Sequence, residues 1–248
     1  MHSPPEAAPT PSLQVIAMHG WAGDGLGWEL LRRDLVAPGW RWDCGERGYG
    51  GRPPELPEWA PSGRRLLIGH SMGPHLLPPS LLAQAEAVVL LAGFARFVPP
   101  GREGRRLQTA LDGMAARLAE GPDENEAAQR AQKLLQDFLV KAAAPDPPDL
   151  LPSGPASQPV GPEGRRLLRD DLARLAASDD LPPGFPTDVP VLIVEAGADR
   201  IVVPEARALL RQRLPAAEVL TFENAGHCLL QAPLASELRT WITRTLGP

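Results

Sequence analysis

The sequence predicts an α/β protein: a mostly parallel central sheet of about six strands with helices on both faces and a helical segment inserted into it. Three observations carry that prediction. Short apolar runs alternate with segments of helical periodicity on both sides of residues 102–180. A Gly-x-Ser-x-Gly frame, Gly69-His70-Ser71-Met72-Gly73, directly follows the apolar run Leu66-Leu67-Ile68. Ser71, Asp199 and His227 each follow a predicted strand, which places all three at the carboxyl edge of one sheet, where sites of open α/β sheets collect.

The elements follow in order. Residues 1–12 carry four prolines and no periodicity, which predicts a loose, disordered tail. Leu13 to Met18 reads as a buried strand ending in His19-Gly20-Trp21 and a glycine-rich loop. The glycines at 23, 25 and 27 match neither the dinucleotide fingerprint nor the Walker pattern. Trp28, Leu30, Leu31 and Leu35 fall at helical spacing, and Pro38-Gly39 stops that helix. Trp40 to Cys44 reads as a second strand. Prolines at 53, 54, 57 and 61 then leave room for a helical turn at most before the strand of Leu66 to Ile68. After Ser71, Pro74 can open a helix, but Pro78-Pro79 predicts that it is interrupted and restarts near Ser80. Ala87 to Leu91 is the next buried strand.

Between residues 102 and 180 the spacing becomes helical, with Leu107, Leu111, Met114 and Leu118, then Leu134, Leu135, Phe138 and Leu139, then Leu167, Leu168, Leu172 and Leu175. The proline-, serine- and glycine-rich stretch 144–162 predicts an exposed, mobile connector. Strand character returns at Pro190 to Glu195 and at Glu218 to Phe222, with helices at Glu205 to Leu214 and Leu234 to Leu246. The expected domains are thus a core of residues 13–101 and 181–248 and an inserted helical lid of residues 102–180.

Composition bounds the function. A chain of 248 residues with 43% hydrophobic content can bury one sizeable core. Its net charge of −5 and pI near 5.6 oppose general affinity for nucleic acid or anionic membrane. No apolar run approaches the ~20 residues needed to span a bilayer. Cys44 and Cys228 lie far apart in a sequence without a secretory pattern, so a reducing cytoplasm is expected, and Cys228 reads as core filler. His19, His70 and His75 lack metal-ligand spacing, so no metal and no cofactor are expected; packing or support of the site is their reading. A monomer is expected.

The order Ser71, Asp199, His227 fits nucleophilic catalysis. A serine hydroxyl is too weak an acid to attack an ester unaided, so His227 accepts its proton and later protonates the leaving alcohol. Asp199 holds the imidazole tautomer. The backbone N–H groups of Trp21 and Met72 are the natural donors to an oxyanion. The bland readings are a helix-capping Asp199 and an ordinary loop histidine at 227.

On these residues the chain resembles the α/β-hydrolase superfamily over positions 13–246, through His19-Gly20-Trp21, the turn at Ser71, the segment Gly197 to Pro204, and Gly226-His227. It is similar, within that superfamily, to the carboxylesterases that cleave pimeloyl-[acyl-carrier protein] methyl ester in biotin biosynthesis, through His19-Gly20-Trp21, the insertion, and the segments Leu111 to Leu118 and Leu134 to Leu139. Gly48-Tyr49-Gly50 and Pro74 depart from the usual pattern. The resemblance implies a cytoplasmic serine esterase with an acyl-carrier protein as partner. It implies Trp21, Met114 and Phe138 as substrate contacts, and Arg102, Arg105, Arg106, Arg165, Arg166 and Arg169 as a docking face for the acidic carrier. An esterase for another small acyl ester and a non-catalytic ligand-binding homologue remain the alternatives.

Overall fold

The computed structural model describes residues 12–247. The tail expected at 1–12 therefore falls, except for Ser12, outside the described residues. Ser12 itself, placed in the tail by the sequence, is tied down: its N–H donates to the Gly39 carbonyl and its own carbonyl accepts from Arg64 N–H.

Six parallel strands form one sheet in the order β2-β1-β3-β4-β5-β6. They are β1 (Leu13–Met18), β2 (Trp40–Cys44), β3 (Arg64–His70), β4 (Ala87–Leu91), β5 (Val191–Ala196) and β6 (Glu218–Phe222). The chain leaves β1 for the edge strand β2 and returns to β3 on the other side of β1. That reversal opens a crevice beyond the carboxyl ends of β1 and β3.

Strand residues alternate between two cores because side chains of an extended chain point to opposite faces. Val15, Ala17, Leu66 and Ile68 meet α1 (Glu29–Leu35) and α7 (Leu234–Leu246) through Leu35, Leu238, Trp241 and Ile242. Ile16, Met18 and Leu67 face α2 (Pro79–Leu82) and α6 (Pro204–Arg213) through Leu81, Leu82 and Leu210. α1 is shorter than its apolar spacing suggests. Trp28 belongs to a 3-10 turn, Gly25–Trp28, and Leu30 is 53% exposed.

The helix behind Ser71 is broken as the prolines predict. A 3-10 turn spans Gly73–Leu76, Pro78 is extended, and α2 restarts at Pro79. A proline ring inside a helix removes a donor and clashes with the preceding turn, so two together enforce the restart.

Between β4 and β5 lie α3 (Arg102–Arg117), α4 (Glu124–Ala143) and α5 (Pro162–Ala177). Their apolar faces join Trp21, Tyr49, Met72, Phe94 and Phe97 in a third cluster above the carboxyl edge of the sheet. The connector between α4 and α5 is not wholly exposed. It makes 3-10 turns at Pro148–Leu150 and Pro155–Ser157, and Pro155, Ala156 and Val160 are buried. Proline there fits an apolar seat against Gly50, where a side chain's Cβ would come within 3.1 Å of Pro155 Cα. Among the described residues no helix is long and apolar enough to cross a membrane.

Candidate active site

The turn after β3 is built by close backbone approach. Ser71 has φ 54°, a left-handed conformation that costs a non-glycine residue ~1–3 kcal/mol. It is held by its own N–H, which donates to the Leu91 carbonyl at 2.8 Å. The glycines on either side are required by neighbours. A Cβ at Gly73 would stand 2.2 Å from the Met18 carbonyl oxygen, and one at Gly69 would stand 2.4 Å from Pro74 Cγ. A Cβ at Gly20 would come within 2.9 Å of Ser71 Cβ, so the loop after β1 lies directly against the serine. Pro74 is thus compatible with this turn because residue 69 has no side chain.

Asp199 and His227 are carried by the loops after β5 and β6. The Nδ1–H of His227 donates to Asp199 Oδ2 at 2.9 Å, and both side chains are buried. The other carboxylate oxygen, Oδ1, accepts from the N–H groups of Ile201 at 2.7 Å and Val202 at 3.0 Å. Asp199 therefore fixes its own turn and orients the imidazole at once. Burial pushes its carboxyl upward, but the interaction with His227 and the two backbone donors outweigh it and hold it below the ordinary range. With Nδ1–H committed to Asp199, Nε2 is the acceptor. Among the described residues neither Nε2 of His227 nor the Ser71 hydroxyl has a hydrogen-bond partner, and both residues line the same cavity.

That cavity has a volume of about 510 Å³ and a mainly apolar wall from Trp21, Phe138, Leu139 and Leu229. Trp21 and Phe138 meet edge to face at 4.9 Å, and Trp21 Nε1–H is spent on the Leu168 carbonyl. Its backbone N–H, like that of Met72, has no partner among the described residues. Both are available to a developing negative charge on an oxygen bound at Ser71. Ala22, next to Trp21, is also left-handed, at φ 63°.

His70 and His19, expected to pack or to support the site, do so through specific bonds, whereas the contacts of Asp171 escaped sequence reasoning. His70 Nε2–H donates to the His227 carbonyl at 3.0 Å, and the two rings lie 4.9 Å apart. Burial, then the neighbouring His227, lowers the His70 pKa to about 4, so it is a neutral strut. His19 is likewise kept neutral by burial, its Nδ1–H donating to Gly20 O and its Nε2 accepting from Arg47 N–H. Further out, buried Asp171 of α5 accepts from Arg47 Nε at 2.6 Å and Tyr49 OH at 2.7 Å, locking α5 to the loop after β2. A carboxylate set among Leu167, Leu168, Leu172 and Leu175 at helical spacing was the available signal.

Several expected contacts fall elsewhere. Met114 packs against the cluster between the inserted helices and the core and is not among the residues that line the cavity. Arg165 is 2% exposed, its guanidinium bound to Glu124 and the Val160 carbonyl, so it offers nothing to a partner. Arg166 is exposed but pairs with Glu163 and Asp170. Arg102, Arg105 and Arg106 are exposed on α3, and Arg169 is half-buried. Cys228 packs against the cluster of the inserted helices, as a core filler would, and also lines the cavity; burial pushes its thiol up to about 12, away from the reactive thiolate.

The fold and this site together define a molecule with the α/β-hydrolase fold. A scan of protein-family models finds no match, and a search of curated proteins finds none either. Solved structures do match. An esterase from Exiguobacterium antarcticum superposes with a TM-score of 0.69 at 18% identity, over 96% of this chain and 93% of that one. A thermophilic esterase from Thermogutta terrifontis gives 0.68 at 18%, over 96% and 92%. An enol-lactonase from Burkholderia xenovorans gives 0.62 at 16%, over 97% and 93%. At these identities the likeness is one of fold.

Proposed function

We propose that this protein is a serine carboxylesterase. The observation that carries the reading is the imidazole of His227, fixed by Asp199 through Nδ1 and open through Nε2 to the cavity that Ser71 lines. Ser71 Oγ attacks the ester carbonyl carbon while His227 Nε2 takes the hydroxyl proton, and the carbonyl oxygen becomes an oxyanion facing the N–H groups of Trp21 and Met72. His227 then gives the proton to the departing alkoxide, leaving an acyl-serine. Water, deprotonated by the same imidazole, hydrolyses it to carboxylate and restores the enzyme. Solved relatives in fold that are named as esterases and a lactonase support this chemistry.

The finer reading is the methyl ester of a pimeloyl chain carried by acyl-carrier protein, cleaved by a monomeric enzyme in the cytoplasm. Three features support it. The apolar cavity has room for an acyl chain against Phe138 and Leu139. Among the described residues no lysine or arginine lines it, so it suits a neutral methyl ester better than the free carboxylate product. Exposed Arg102, Arg105 and Arg106 offer a basic edge on α3.

Turnover of carrier-bound and free methyl pimelate tests the finer reading. A preference for the carrier-bound ester that declines with salt and in Arg102→Glu or Arg105→Glu is expected. Equal turnover contradicts it and leaves a small-ester esterase. Failure to hydrolyse even a short p-nitrophenyl ester would mean a binding protein.

A further inference from the structure

Asp24 is the one buried carboxylate of the cavity that the esterase mechanism leaves unused. It follows the His19-Gly20-Trp21 loop and is 7% exposed. Its Oδ1 accepts from the N–H groups of Leu26 at 3.0 Å and Gly27 at 3.3 Å, capping the 3-10 turn Gly25–Trp28. Its Oδ2 has no hydrogen-bond partner among the described residues. This oxygen faces the wall formed by Gly154, where an added Cβ would stand 3.7 Å from it, and Asp24 and Gly154 both line the cavity with Ser71.

Capping alone does not call for this side chain. One acceptor oxygen caps a turn, and serine or asparagine would supply it without burying a charge. The neighbouring carboxylate makes the contrast. Glu46 is saturated, accepting from Gly25 N–H and Gly48 N–H and pairing with Arg52 Nε at 3.2 Å. Among the described residues, the only ones of fixed charge that line the cavity are acidic, Asp24 and the exposed Asp34. Oδ2 is thus an acceptor that no protein donor fills, and a donor on an entering molecule can take the place of water there.

We propose that Asp24 Oδ2 is a specificity site for a hydrogen-bond donor, an ammonium or a hydroxyl group, carried by the substrate away from its scissile ester. The inference rests on the esterase reading for what is cleaved, but not for what is bound. Substrates of this class are ω-hydroxy- or ω-aminoacyl esters, or acyl esters whose far end continues into a donor-bearing arm. Plain alkyl esters offer Oδ2 no donor in place of the water they displace, and are discriminated against for that reason.

The test compares methyl hexanoate, methyl 6-hydroxyhexanoate and methyl 6-aminohexanoate on wild type and Asp24→Asn. Asparagine keeps the capping oxygen and puts an NH2 donor where Oδ2 was, so the fold is preserved while the acceptor is lost. Wild type is expected to prefer at least one donor-bearing ester by about tenfold or more in kcat/KM, and the preference is expected to collapse in the variant. Preference for the amine with loss in salt identifies a cation site; preference for the hydroxyl alone identifies a neutral donor. Equal kcat/KM for the three esters in wild type, or a preference that survives in Asp24→Asn, overturns the proposal. Calorimetric binding of 1-hexanol, 1,6-hexanediol and 6-amino-1-hexanol separates this from the reaction. If no ester turns over but wild type alone favours a donor-bearing alcohol, the esterase reading fails and the Asp24 site stands. If no ester turns over and no donor-bearing alcohol is favoured, both fall.

Discussion

Ser71, His227 and Asp199 do different work and fail in different ways. In the proposed mechanism Ser71→Ala removes the nucleophile and His227→Ala the base, so each is expected to abolish detectable p-nitrophenyl ester hydrolysis without a change in the far-ultraviolet circular dichroism. Asp199→Asn keeps a side chain of the same shape but presents a donor to the ring, and a loss on the order of 10⁴-fold in kcat is expected from the wrong tautomer. His70 governs a pH dependence instead. Its pKa is lowered in the folded state to about 4 from 6.5, so between those values the unfolded chain binds the extra proton. The stability it contributes is present above pH 6.5 and is lost as the pH falls toward 4, by on the order of 3 kcal/mol at full protonation. Urea midpoints measured from pH 7 to pH 4 are expected to fall, and to fall less in His70→Gln, whose amide can still donate to the His227 carbonyl.

Among the elements, the turn after β3 gives the sharpest packing test. Gly69→Ala drives a Cβ to 2.4 Å from Pro74 Cγ and 2.6 Å from Cδ. The change is expected to cost several kcal/mol alone and markedly less in a Pro74→Ala background, where the ring atoms are gone. A double-mutant coupling below ~0.5 kcal/mol would contradict that account. The inserted helices offer a second test. Tyr49→Phe removes one donor to the buried Asp171 carboxylate and is expected to lower stability by ~1.5–3 kcal/mol, read as a lower urea midpoint with an unchanged slope. What was legible in the sequence divides along the same line. The strands, the restart at Pro79 and the order Ser71, Asp199, His227 rest on local signals: apolar runs, prolines, and glycines beside a polar residue. Arg165, Met114 and the buried connector residues depended on which face each inserted helix turns to the core. Leucine spacing gives a helix its stripe but not its neighbour, so Arg165 looked exposed when Glu124 and Val160 enclose it.

For the molecule as a whole, the sheet reversal and the inserted helices meet around one cavity, with the loop of Ser71 in its wall and, among the described residues, acidic side chains as its only lining groups of fixed charge. The net charge of −5 with an exposed basic edge on α3 makes any carrier recognition local rather than global. All of this depends on Ser71 being an activated nucleophile. The measurement that tests it most directly is labelling with a fluorophosphonate probe, with the adduct mapped by peptide mass spectrometry. Wild type is expected to take up one equivalent on the peptide containing Ser71, and Ser71→Ala to take up none. Equal labelling of the two proteins, or no labelling of folded wild type, would contradict the account.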